Sequence, residues 1–199
     1  VVVTPGAGAV AGLSEAWLWE GETLTHTANS GALVADAQAT NGTTWLARAG
    51  TQQAGLWNGP RTTVLPSGRN YRAIFRLRAN IPAASAAAAQ AVTPLAHLDV
   101  TDNGGANILG LRDIWASDFI NSTAYRSFAV DFHLFDPPTG LEFRVNWPGG
   151  VDLALDYVQI WAIPDPVKAG QPLNWSLSSG VSLQTVSAVA FDLAGNMSQ

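Results

Sequence analysis

The chain has 199 residues, a formal net charge of −5 and only 13% charged residues, with Lys168 as its single lysine. So weakly acidic a surface has little with which to neutralise phosphates, which excludes nucleic acid as a natural partner. The absence of cysteine excludes disulfides, thiolate metal sites and thiol nucleophiles, and no apolar stretch approaches the roughly twenty residues of a membrane helix.

The length suits one domain with short appendages. The opening VVVTPGAGAVAG has no charged leader, does not read as an intact signal peptide, and forms an N-terminal extension over residues 1–14. From there, apolar and polar residues alternate between clusters of Gly, Pro, Asn and Asp, with no sustained helical period. Strands are expected at 16–24, 31–36, 43–49, 61–65, 70–79, 91–100, 107–112, 125–135, 140–147 and 151–163. Leu65-Pro66-Ser67-Gly68 reads as a tight turn, and Asp136-Pro137-Pro138-Thr139-Gly140 as a hairpin loop.

Ten strands at this spacing predict an all-β, two-sheet antiparallel β-sandwich over residues 15–163. In the strand around residue 75, Tyr71, Ala73, Phe75 and Leu77 share one face and Arg72, Ile74, Arg76 and Arg78 the other. Residues 81–90 read as a long loop with one helical turn. The proline-rich residues 164–172 read as a linker, and residues 173–199 hold two or three strands, too few for an independent domain.

Ordered pieces of this chain resemble the galactose-binding-like β-sandwich of carbohydrate-binding modules, families six and thirty-five above all. Trp19-Glu20-Gly21-Glu22 is similar to the Tyr-Glu-Ala-Glu opening of those modules. Leu56-Trp57-Asn58-Gly59-Pro60 followed by Gly68-Arg69-Asn70-Tyr71 is similar to the passage before their long core strand. Leu153-Ala154-Leu155-Asp156-Tyr157-Val158 is similar to their last strand. Arg61 departs from the pattern, which commonly has an aromatic residue there. Separately, 189–196 resembles the final strand of bacterial immunoglobulin-like repeats.

The resemblance implies a structural calcium held by Glu20, Glu22 and Asp156. Two glutamates two apart on a strand leave the same face, and calcium takes six to eight oxygen ligands. Read without the resemblance, the glutamates are solvated and Asp156 ends a ladder. Of eight tryptophans, Trp17, Trp19 and Trp161 fall in terminal strands and read as core or sheet edge. Trp57, Trp115 and Trp147, beside Asn58 and Asn146, fall in or next to expected loops. An exposed indole stacks on the apolar face of a pyranose while amides bond its hydroxyls, so these five residues are the expected ligand contacts. The resemblance places them at the loop end of the sandwich.

His26, His97 and His133 are scattered, and neither a Gly-x-Ser-x-Gly elbow nor a His-Glu-x-x-His helix occurs. The expectation is therefore a non-catalytic extracellular or cell-surface module that binds carbohydrate and carries calcium. The alternative is a surface-layer, adhesin or filament subunit that self-associates by strand addition through its apolar ends.

Overall fold

The computed structural model describes residues 16–81, 93–119 and 123–163, and the alternating pattern becomes eleven strands within them. They are β1 (Ala16–Glu20), β2 (Thr25–His26), β3 (Ala32–Ala35), β4 (Thr43–Ala47), β5 (Gly55–Thr62) and β6 (Arg69–Asn80). After these come β7 (Ala96–Asp102), β8 (Asn107–Ile114), β9 (Arg126–Leu134), β10 (Leu141–Trp147) and β11 (Asp152–Ile163). The expected extension, linker, C-terminal strands and helical turn near residue 85 lie outside the described residues. So do the terminal segments on which self-association was expected to rest.

The strands form two antiparallel sheets. One runs β3-β4-β11-β6-β9, with β1 also pairing β11 beyond the end of β4, and the other runs β2-β5-β10-β7-β8. Between them lies the core, built from the inward halves of the strands: Tyr71, Ala73, Phe75 and Leu77 of β6 are fully buried, as alternation requires. They meet Phe143, Val145 and Trp147 of β10 and Leu98 and Val100 of β7. Trp19 stacks on Phe143 with ring centroids 5.4 Å apart, and Trp17 meets Tyr71 edge-on at 6.2 Å, so both tryptophans seal the core beside β1.

Two expected strands need correction. The segment 16–24 does not stay extended: β1 stops at Glu20, and Gly21–Thr23 makes a 3-10 turn. Gly21 is what allows the turn, because a Cβ there would lie 2.2 Å from the Leu155 carbonyl oxygen. The strand expected at 61–65 instead runs Gly55–Thr62, through Asn58-Gly59-Pro60. Pro60 is tolerated because β2 pairs only Trp57 and Asn58 on that side, so no ladder partner there needs its missing N–H. Gly59 supplies the positive φ of 143° and the following Arg61 one of 61°, and the β5–β10 register shifts nearby, between Leu141 and Glu142.

Candidate functional site

Position along the strands decides the fate of three tryptophans. Trp57 and Trp147 are both 0% exposed, stacked with centroids 6.3 Å apart in the core. Their indole N–H groups point to internal acceptors: Trp57 donates to the Ser30 carbonyl and hydroxyl oxygens at 3.1 and 3.0 Å, and Trp147 to the Val151 carbonyl at 2.8 Å. The expectation that they stack on a ligand is therefore corrected. Each stands at an inward position of a strand, where burial of so large an apolar group outweighs any surface role. Trp115 differs: it follows β8, is half-buried, and has its backbone N–H held by the Asp118 carboxylate at 2.7 Å.

Asn58 and Asn146 point the opposite way from the buried tryptophans, onto the outer face of the five-stranded sheet. Register sets their neighbours. Asn58, Arg144, Asp99 and Leu111 form one row across β5, β10, β7 and β8; Leu56, Asn146, His97 and Asp113 form the next. Arg144 grips Asp99 with two parallel bonds of 2.6 and 2.9 Å, and His97 Nδ1 lies 2.6 Å from Asp113 Oδ1. Beside them, Glu142 is buried and accepts from Arg61 Nε at 2.5 Å and from Asn58 Nδ2 at 3.3 Å. The Asp99 carboxylate holds Arg144 in its charged form, its hydrogen bonds raising the guanidinium further. Trp115 follows Asp113 by two residues, just past the end of β8. Thus Asn58 and Asn146 share one face with Arg144, Asp99, His97 and Asp113. The sequence reading left those four out of the ligand contacts, because their pairing becomes visible only with the register.

The carboxylates expected to hold calcium lie at the junction of β1, β4 and β11. An irregularity between Leu155 and Tyr157 leaves Asp156 as an extra residue, fully buried. Its carboxylate accepts the Thr40 backbone N–H at 3.0 and 3.2 Å and the Thr40 hydroxyl at 2.9 Å, and pairs with Arg76. Arg76 lies over the rings of Tyr125, 4.6 Å from its centroid, and Tyr157, at 5.8 Å. Glu22 accepts from Asn41 Nδ2 and from the Thr43 hydroxyl, each at 2.7 Å. Burial tends to raise the Glu22 carboxyl, but these bonds outweigh it and leave the group below its usual range.

Glu20 behaves oppositely. Burial, then the charges of Glu22 and Asp156, push its carboxyl above the usual value. One buried oxygen of Glu20 and one of Glu22 have no hydrogen-bond partner among the described residues. Among the described residues no group of three His, Cys, Asp or Glu closes into a cation cage. Hard, unpartnered oxygens on Glu20 and Glu22 fit a calcium ion; Asp156, already filled by Arg76 and Thr40, does not join them in this arrangement.

No family model matches this sequence, and no curated relative does. Solved structures do match. The C-terminal family 6 carbohydrate-binding module of a laminarinase from Zobellia galactanivorans superposes with a TM-score of 0.50 at 10% identity, covering 74% of this chain and 99% of that one. A family 6 module of lichenase 5A from Cellvibrio mixtus, in complex with cellotriose, gives 0.49 at 12% identity over 73% and 95% of the two chains. The xylan-binding domain of Xyn10C from Paenibacillus barcinonensis, a family 22 module, gives 0.48 at 10% identity over 77% and 98%. The two-sheet sandwich of the described residues shares its fold with the laminarinase module.

Proposed function

We propose that this chain is a non-catalytic extracellular carbohydrate-binding module that holds a glycan on the outer face of its five-stranded sheet. The observation that carries this reading is the pair of polar rows, Asn58–Arg144–Asp99 and Asn146–His97–Asp113, with the half-buried Trp115 two residues beyond Asp113. Amide, guanidinium and carboxylate groups held by one another present fixed donors and acceptors to sugar hydroxyls, and an indole offers a flat apolar surface to one ring. Leu111, 68% exposed beside Asp99, adds an apolar edge to the same face. Each ionisable side chain of the rows is engaged by a neighbour, which holds the donors and acceptors of this face in one arrangement. The shared fold of the laminarinase module, named for carbohydrate binding, supports the same reading. A glycan array probed with the full chain tests it. Retention of at least one polysaccharide is expected, and lost with Trp115→Ala and Asn146→Ala together; a folded chain that retains none would overturn it.

The proposal includes a structural calcium ion between Glu20 and Glu22, whose charge would compensate their unpartnered oxygens and fix the turn at Gly21–Thr23 against β11. Calcium is expected to raise the melting temperature of the wild type and to leave that of Glu20→Gln unchanged. An equal response in both would remove the ion from these residues.

A further inference from the structure

Asn-Gly occurs three times in this chain, at Asn41-Gly42, Asn58-Gly59 and Asn103-Gly104. In this dipeptide the asparagine side-chain carbonyl is open to attack by the backbone nitrogen that follows it, because glycine has no Cβ to obstruct the approach. The fold treats the three differently. Asn41 is tied at both ends of its amide: Nδ2 donates to Glu22 at 2.7 Å, and Oδ1 accepts the Thr43 backbone N–H at 3.0 Å. The nitrogen that would attack it belongs to Gly42, whose N–H donates to the Ala39 carbonyl at 3.2 Å. Asn58 lies inside β5, between Thr25 of β2 and Arg144 of β10, with Nδ2 on Glu142 and with Gly59 buried.

Asn103 is exposed, as is Gly104, and its side chain makes no hydrogen bond with another described residue. The two form the tip of the turn from β7 to β8, with φ of 54° and 64°, the left-handed pair that Asn-Gly supplies to a tight hairpin. The root of the turn is pinned: the Asp102 carboxylate accepts the Thr139 and Gly140 backbone N–H groups at 3.1 and 2.7 Å. Two arginines reach the tip. A Cβ on Gly105 would lie 2.6 Å from Arg144 Nη1, and one on Gly104 would lie 4.0 Å from Arg61 Nη2.

We infer that Asn103 is a site of spontaneous covalent modification, converting to aspartate and isoaspartate at the turn that Arg144 and Arg61 adjoin. The Gly104 nitrogen attacks Asn103 Cγ: the N–Cγ bond forms, the Cγ–Nδ2 bond breaks, and ammonia leaves with the proton of the Gly104 amide. Water then opens the succinimide, at Cγ to give aspartate or at the Asn103 backbone carbonyl carbon to give isoaspartate, and nothing is oxidised or reduced. Either product puts a carboxylate where a neutral amide stood, beside guanidinium groups already matched to Asp99 and Glu142. The new charge competes for Arg144 and so shifts the donors that the polar rows present. That consequence rests on the carbohydrate-binding reading; the modification itself does not.

Ageing the full chain at mildly alkaline pH, folded or in urea, and mapping its peptides by mass tests the site. In the folded chain Asn103 is expected to gain its carboxyl at least tenfold faster than Asn41 and Asn58, and in urea the three rates converge because the dipeptide alone then acts. Equal rates in the folded chain, or the same lead in urea, would overturn the assignment. Gels containing a retained polysaccharide test the consequence. Aged wild type is expected to bind at least twofold more weakly than fresh protein, whereas Asn103→Gly, which keeps the left-handed backbone and cannot cyclise, is unchanged by ageing. An equal loss in both, or a loss in neither, would overturn the effect on the sugar face. Failure of fresh protein to be retarded by any glycan would overturn the carbohydrate-binding reading instead, with the site still decided by the peptide map.

Discussion

The outer faces of the two sheets use the same raw material, arginines and aspartates on alternating strand positions, to opposite ends. On the five-stranded sheet no described segment lies over the pairs: His97 with Asp113 is exposed, and Arg144 with Asp99 is half-buried among its neighbours in the rows. On the six-stranded sheet, Tyr125 lies across Arg76 and Arg78 and its hydroxyl meets Asp36, so those ion pairs are half-buried and hold structure together. The difference teaches that a charged strand face is neither core nor site by composition. What covers it decides which.

The sharpest break in that comparison comes from the tryptophans. Trp147→Ala removes a fully buried indole and should cost about 3–5 kcal/mol, collapsing both faces together, whereas Trp115→Ala, just past β8, should change stability by about 0.5 kcal/mol or less. Urea unfolding of the two variants measures both. Next in size is Arg76→Ala, which leaves the fully buried Asp156 without its counter-charge. Loss of one partner of a buried pair costs about 3–5 kcal/mol, and the quarter exposure of the Arg76 side chain places this case near the lower figure. Arg72→Ala, whose pair with Asp131 is half-exposed, should cost about 1 kcal/mol or less in the same experiment.

Smaller effects follow from titration. Burial pushes the Tyr125 hydroxyl up to about 12, with the Asp36 hydrogen bond and charge adding to it against the Thr44 hydrogen bond and the Arg78 charge. Its folded value lies above the ordinary tyrosine value of about 10, so what it contributes is complete below that pH and lost as the pH rises through about 12. Tyrosinate absorbance should show one late-ionising tyrosine, and Asp36→Asn should bring it earlier. At the acid end, the Arg72 hydrogen bond holds Asp131 low, and backbone amides hold Asp102 low despite burial. Both folded values lie below the unfolded ones, so their stabilisation is complete above about pH 4 and fades as the pH falls through the folded values. Melting temperature against pH, in wild type and Asp131→Asn, reads the contribution directly.

How much of this was legible in the sequence varies with the kind of information each residue carries. The period of two in β6 assigned Tyr71, Ala73, Phe75 and Leu77 to the core because side-chain direction along a strand is local. β5 was missed because Asn58-Gly59-Pro60 has turn chemistry, and only a neighbour that stops short, as β2 does, makes room for proline in a strand. That error carried Trp57 out of the core and into the expected site. Trp147, expected beside a loop, is the inward last residue of β10 and suffered the same fate. Glu20 and Glu22 do come near one another, but through a turn that rests on Gly21 rather than through strand alternation. The Asp156–Arg76 pair spans 80 positions, and no local pattern announces it.

Affinity electrophoresis of the wild type and the Trp115→Ala/Asn146→Ala double variant, run through gels containing the polysaccharide retained best on the array, reaches the central claim most directly. Retarded wild type beside a folded double variant migrating as freely as in an empty gel is the predicted result. Equal retardation of both would contradict the assignment of the glycan to the five-stranded face.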